Sequence, residues 1–270
     1  MKDHIPSAQR PLALVTGGSS GIGAAIAREL ARDGFDLVLV ARHAAPMQAL
    51  ASELAASDAH VRIIESDLAR PGAVADLVKQ LDPRAAVEVV INNAGVGYSV
   101  EFAAADEARQ HAVLQLNVVA ATELARAFLP AMIARGRGRI MFVASLGAYL
   151  PGPGAAVYHA SKSYVLSLGE AIAYELRGTG VTATVLCPGP TRTGYWEGAS
   201  ATRTRIGRGS LTIPVMDPAR VARIGYRAMK RGRAVVVAGR RNAFSAQVLP
   251  LIPRWLLLRT SATLNAQETA

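Results

Sequence analysis

Leu12-Ala13-Leu14-Val15-Thr16-Gly17-Gly18-Ser19-Ser20-Gly21-Ile22-Gly23 is the stretch on which the reading of this chain turns. Its apolar start predicts a short buried strand over 11–16, and the apolar periodicity that follows the glycines predicts a helix over 21–32, stopped by Asp33-Gly34. Between the two, the glycines run G-x-x-x-G-x-G. Gly17 permits a tight turn, Gly21 removes a Cβ from the path of a phosphate, and Gly23 lets the helix pack close to the strand. The backbone amides of Ser19, Ser20 and Ile22 belong to the same turn, where a phosphate can approach the positive end of a helix. A strand before the turn and a helix after it point to dinucleotide binding.

Working outward, the alternation repeats. Strands are expected over 36–41, 61–65, 88–92, 139–144, 181–187 and 234–237, and helices over 47–57, 72–81, 106–134 (broken once), 155–177 and 218–231. Continuous apolar strands separated by helices imply a parallel sheet covered on both faces. The expected fold is α/β, a doubly wound, seven-stranded parallel sheet in one domain, with a ligand at its topological switch point. We divide the chain into a tail (1–10), a dinucleotide-binding catalytic domain (11–240) and a C-terminal apolar and basic extension (241–270), with residues 191–214 as a candidate lid.

Bulk composition narrows the function. With 270 residues, 51% of them hydrophobic, one large domain can bury its own core. No signal-peptide pattern opens the sequence and no run reaches about 18 uninterrupted apolar residues, so the expectation is a soluble, cytoplasmic protein. The single cysteine, Cys187, excludes an internal disulfide and reads as a small buried side chain. His4, His43, His60, His111 and His159 show no ligand spacing, and no metal is expected. The net charge of +10 is concentrated in residues 192–260, which hold fourteen Arg or Lys against Glu197 and Asp217. That asymmetry suits an anionic membrane surface, an anionic substrate carrier or nucleic acid, and equally a solvated basic surface. Nucleic acid is disfavoured, because the segment lacks interleaved aromatics on a strand platform and any helix-turn-helix or zinc pattern.

The chemistry is carried further along. Tyr158-His159-Ala160-Ser161-Lys162 places a phenol and an ammonium four residues apart, on one face of the expected helix. A phenol ordinarily ionises near pH 10, and an adjacent ammonium favours the phenolate, which brings it towards use as a general acid or base. Ser145 ends the expected fifth strand, at the carboxyl edge where such sheets bind ligands, with its hydroxyl available to a substrate oxygen. At the end of the second strand, where an acid would accept bonds from a free ribose 2′-hydroxyl, the chain reads Val40-Ala41-Arg42-His43. A guanidinium there suits a 2′-phosphate, so NADP(H) is favoured over NAD(H).

With these features the chain resembles the short-chain dehydrogenase/reductase family over residues 11–240. The resemblance rests on Gly17, Gly21 and Gly23, Asn92-Asn93-Ala94-Gly95, Asn117, Ser145, Tyr158-x-x-x-Lys162 and Pro188-Gly189. It implies that Tyr158 is the proton-transferring group and that Ser145 polarises and orients the carbonyl. It also implies that Lys162 lowers the tyrosine pKa and bonds the nicotinamide ribose, with Asn117 holding a water in a relay. By the same resemblance Asp67, with Leu68 beside it, contacts adenine, Asn93, Ala94 and Gly95 pack beside the adenosine ribose, and Thr191 and Thr193 lie near the carboxamide. Such relatives are commonly homodimers or homotetramers. A non-catalytic dinucleotide-sensing regulator is the other reading of such a fold; it would be expected to lose the tyrosine or lysine, and this chain keeps both.

For the substrate, the loops over 96–102, 146–157 and 194–214 contribute Tyr149, Tyr195 and Trp196, and no charged residue stands close to Ser145 or Tyr158 in sequence apart from Lys162. This favours an apolar ketone or alcohol, or an acyl-type carbonyl. Tyr149 and Trp196 fit a packing role equally well. The final apolar stretch, 248–259, is too short and proline-broken to span a bilayer. It fits a packed helix on the domain or on another subunit, a cover over a lipophilic substrate, or a peripheral membrane contact.

Overall fold

The computed structural model describes residues 10–81, 86–194 and 215–266. Its strands are β1 (Leu12–Thr16), β2 (Asp36–Ala41), β3 (Val61–Glu65), β4 (Val87–Asn92), β5 (Gly138–Val143), β6 (Val181–Cys187) and β7 (Val235–Val237). They form one sheet in the order β3-β2-β1-β4-β5-β6-β7, every pairing parallel. The period-two alternation of a strand sends successive apolar side chains to opposite faces. Ala13, Val15, Leu37, Leu39 and Ile91 meet α1 (Gly21–Arg32), α2 (Ala44–Leu54) and α7 (Pro218–Lys230). Leu14, Val38, Val90, Phe142 and Val185 meet α3 (Ala73–Gln80), α5 (Ala121–Ala134) and α6 (Ala156–Glu175) on the other face. Two cores of this kind explain why the strands read as nearly continuous apolar runs. Because β1 lies between β2 and β4, the connections leave it in opposite directions, and a crevice opens beyond its carboxyl end.

The expected elements are present, with instructive differences at their ends. The helix expected over 47–57 starts earlier, at Ala44, because the Ala44 amide donates to Glu65 Oε2 (2.9 Å) at the end of β3, a cap 21 residues away that no local pattern shows. The helix expected to break within 106–134 does not break. After α4 (Glu107–Leu114) the chain widens into a six-residue π segment, Gln115–Ala120, and continues into α5, which accommodates Pro130. By length and composition the run Glu107–Ala134 is apolar enough to cross a bilayer, yet Val113, Leu116, Leu124, Phe128 and Met132 along it are buried in the protein.

Beyond β7 the chain forms α8 (Arg240–Val248), a 3₁₀ turn (Leu249–Leu251) and α9 (Arg254–Asn265). Asn242 anchors α8, its Nδ2 donating to Ala238 O (2.7 Å). The C-terminal end of α9 is tied to the domain by Asn265 Nδ2 donating to Pro153 O (3.0 Å), with Leu257 and Ser261 buried on the same side. The inner side of the extension is therefore packed on the domain.

Candidate active site

Thr16, the last residue of β1, is fully buried and joins two loops. Its Oγ1 donates to Ile91 O (3.1 Å) and accepts from the amides of Asn93 and Ala94 (3.1 Å each). Asn93 returns the tie, its Nδ2 donating to Thr16 O (2.9 Å) and Gly17 O (3.2 Å). The loops that follow β1 and β4 are thus one structure, and the glycines are what let it close. At Gly17, whose φ is +64°, a Cβ would lie 2.7 Å from Asn93 Nδ2; at Gly23 it would lie 2.3 Å from Gly17 O. Ser20 begins α1 in extended backbone and no side chain caps the helix there, which leaves the positive end of the helix for a ligand. Ser19 precedes it in the turn, and Ile22 follows in the first turn of α1.

The outer cofactor positions follow. Arg42 is exposed at the end of β2 and makes no ion pair among the described residues. Asp67 is also exposed, its Oδ1 accepting from Ala69 N (3.0 Å) in a turn that buries Leu68. Pro188 O accepts from Leu146 N (2.7 Å), so the loop after β6 is fastened to the one after β5. Gly189 lies where a Cβ would be 2.4 Å from Asn242 Nδ2. Thr191 is buried with Oγ1 donating to Gly189 O (2.9 Å), and Thr193 sits over Gly21, where a Cβ would approach its Cγ2 to 2.8 Å. Tyr195 and Trp196, together with lid residues 195–214, lie outside the described residues.

At the carboxyl ends of β4 and β5 the four chemistry-bearing residues are tied to one framework. Lys162 is buried on α6 and its Nζ donates to Val143 O (2.9 Å). That burial drops its pKa from an ordinary 10.5 to about 8, because a desolvated ammonium is disfavoured. Nζ stands 6.0 Å from the centre of the partly buried Tyr158 ring. A Cβ on Gly95 would lie 3.2 Å from both Lys162 Nζ and Asn117 Oδ1, so Gly95 forms the floor between them. Asn117, in the π segment, clamps Val96: Nδ2 donates to Val96 O and Oδ1 accepts from Val96 N, both at 2.9 Å. The same Nδ2 donates to Ser161 Oγ (3.0 Å), which in turn donates to Tyr158 O (2.7 Å). Ser145 is extended, and its Oγ accepts from Gly147 N (3.0 Å) at the start of the 3₁₀ turn Leu146–Tyr149.

One residue has a role that sequence reasoning missed. His159, considered there only as a metal ligand, is buried behind Tyr158 with Nδ1 3.0 Å from Gly147 O and 3.1 Å from Leu150 O. Both partners are carbonyls, so Nδ1 carries the proton, and burial holds the ring below its ordinary pKa. His159 thereby ties the loop after Ser145 to the first turn of α6. Gly152 makes room for it, since a Cβ there would come 2.1 Å from the imidazole Cδ2. Tyr149, open in sequence to a place at the substrate or in packing, is partly buried against the core, with its hydroxyl 3.9 Å from Cys187 Sγ. Burial pushes the Cys187 thiol up to about 12, which makes it the inert side chain expected from its position.

The glycine cradle, the uncapped start of α1 and the Gly95 floor beneath Lys162 fit a dinucleotide stretched from β2 to β5. Comparison with known proteins agrees. A family model described as short chain dehydrogenase matches residues 11–204. The 1-deoxy-11-beta-hydroxypentalenate dehydrogenase of Streptomyces exfoliatus is 36% identical over 201 residues, 72% of each chain. A short-chain dehydrogenase from Sphingobium yanoikuyae, solved in complex with NADPH, superposes with a TM-score of 0.76 at 32% identity, covering 89% of this chain and 94% of that one. Another from Burkholderia phymatum, solved with NAD, gives a TM-score of 0.78 at 25% identity, over 89% and 92%. The chain belongs to the short-chain dehydrogenase/reductase family, oxidoreductases that interconvert hydroxyl and carbonyl groups with a nicotinamide dinucleotide.

Proposed function

We propose that this protein is an NADP(H)-dependent oxidoreductase of an apolar ketone or secondary alcohol, or of an acyl-type carbonyl, with Tyr158 transferring the proton. The observation that carries the reading is the buried Lys162 ammonium, held on Val143 O, against Gly95 and on the Tyr158 side of α6. The bound nicotinamide supplies or takes up the hydride. Tyr158 gives its hydroxyl proton to the substrate oxygen in reduction and removes it in oxidation, and the Lys162 cation favours the phenolate that remains. Ser145 Oγ already accepts from Gly147 N, which leaves its own proton to donate to the substrate oxygen. Asn117 has its side-chain amide committed to Val96 and Ser161, so it positions Tyr158 and Lys162. Replacing Tyr158 by Phe keeps dinucleotide affinity within about twofold and lowers kcat by about three orders of magnitude or more. Fluorescence titration and steady-state assays with a panel of ketones and acyl carbonyls read the two parts separately, and unchanged turnover refutes the assignment.

The choice of NADP(H) is supported by Arg42, an exposed guanidinium without an ion pair among the described residues, at the end of β2. A 2′-phosphate offers it charge-assisted bonds that a free hydroxyl does not. We expect kcat/KM for NADPH to exceed that for NADH by about tenfold or more, and Arg42→Asp to reverse the order. Equal use of both dinucleotides by the wild type rejects this part of the proposal alone.

A further inference from the structure

We infer that the outer face of the C-terminal extension is a docking surface for an anionic lipid bilayer. On α9, Leu257, Ser261 and Asn265 recur every four residues and are buried against the domain, which turns Trp255, Leu256 and Arg259 away from it. Trp255 is 62% exposed and Leu251, in the preceding turn, 81%; Leu256 and Leu258 are also exposed. These are large apolar side chains with nothing over them among the described residues, and singly exposed ones would need no explanation. Arg254 and Arg259 are exposed on α9 and Arg240 and Arg241 on α8, and the Arg259 guanidinium lies 5.8 Å from the centre of the Trp255 ring.

Charge decides the occupant. Residues 218–266 contain ten Arg or Lys and no Asp or Glu. A two-fold contact between copies through this face would set the same basic patch on both sides, with no acid of residues 218–266 to counter it, because such an interface must be self-complementary. A surface of anionic headgroups over an apolar interior complements both features at once: the arginines meet the phosphates, and Trp255 with its leucine neighbours enters the boundary. The same helix holds Pro153 through Asn265, so the docked face and the loop after Ser145 are parts of one packed unit. An apolar carbonyl or alcohol dissolved in the bilayer would then be the substrate supply. Docking itself does not depend on the redox reading and is measured without it.

The test is sedimentation of the full chain with vesicles of phosphatidylcholine alone and of phosphatidylcholine mixed with phosphatidylglycerol, at low and high salt. The wild type is expected to pellet with the mixed vesicles at low salt, to be released by salt, and to stay in solution with the neutral ones. Arg254→Glu with Arg259→Glu lowers partition by about tenfold or more, and Trp255→Ser with Leu256→Ser lowers it while leaving the charge unchanged. All four positions are exposed, and circular dichroism of each variant verifies that it is folded. Failure of the wild type to pellet with mixed vesicles overturns the proposal, as does binding that ignores the charge reversal. A fall in oligomer mass on Trp255→Ser, seen by light scattering, assigns the face to a second copy of this chain and overturns it as well.

Discussion

At the scale of single residues, Lys162 is held in a state that opposes folding. Its pKa of about 8 against an ordinary 10.5 means that the folded chain binds fewer protons than the unfolded one between those values. The unfavourable contribution is therefore complete below pH 8 and disappears as the pH rises to 10.5. Lys162→Met removes the buried charge and also the bond to Val143 O. Without added dinucleotide, it is expected to raise unfolding stability by about 1–3 kcal/mol at pH 7 and by little at pH 10, while abolishing turnover. Urea denaturation at the two pH values measures this, and a variant no more stable than wild type at pH 7 would sink the argument. The gathering of Tyr158, Lys162 and Ser145 at the end of β5 was legible from sequence because their spacing and place at a strand end have chemical meaning. His159 was not: its two carbonyl partners belong to a turn, and nothing in Tyr-His-Ala-Ser-Lys says that the ring faces inward.

At the scale of elements, the strands were legible almost to the residue, since β1 and β2 are apolar runs with sharp polar or glycine ends. Helix ends were less so, and the reason is tertiary: Glu65 starts α2 from another strand, and the π segment around Asn117 replaces the break expected in the long helix. The link between β1 and α1 has no room for added bulk. An added methyl at Gly23 meets Gly17 O at 2.3 Å and Asn93 Nδ2 at 2.5 Å, so the turn must open. Gly23→Ala is expected to cost about 1–3 kcal/mol and to weaken NADPH binding by more than tenfold, read by urea denaturation and fluorescence titration. Wild-type affinity in that variant would show that the turn does not cradle the cofactor.

At the scale of the whole molecule, the doubly wound order was legible because alternating elements leave few ways to wind a parallel sheet. The assembly was not, since an apolar residue facing solvent and one facing a partner look alike in sequence. Leu114, Val119 and Ile133, exposed along the helical run from α4 to α5, are where we expect the homodimer or homotetramer to form, apart from the C-terminal face. Ile133→Arg is expected to lower the oligomer mass in light scattering while changing the stability of the fold by no more than about 0.5 kcal/mol; an unchanged mass places the contact elsewhere. The stitching of Thr16 to Asn93 and Ala94 reaches across 77 and 78 positions of the chain. While the chain is being synthesised, the glycine turn has no wall to close against until β4 and the residues after it have emerged. The N-terminal βαβ unit alone is then unable to hold a dinucleotide, and the acquisition of affinity marks the moment at which the two halves of the sheet have met.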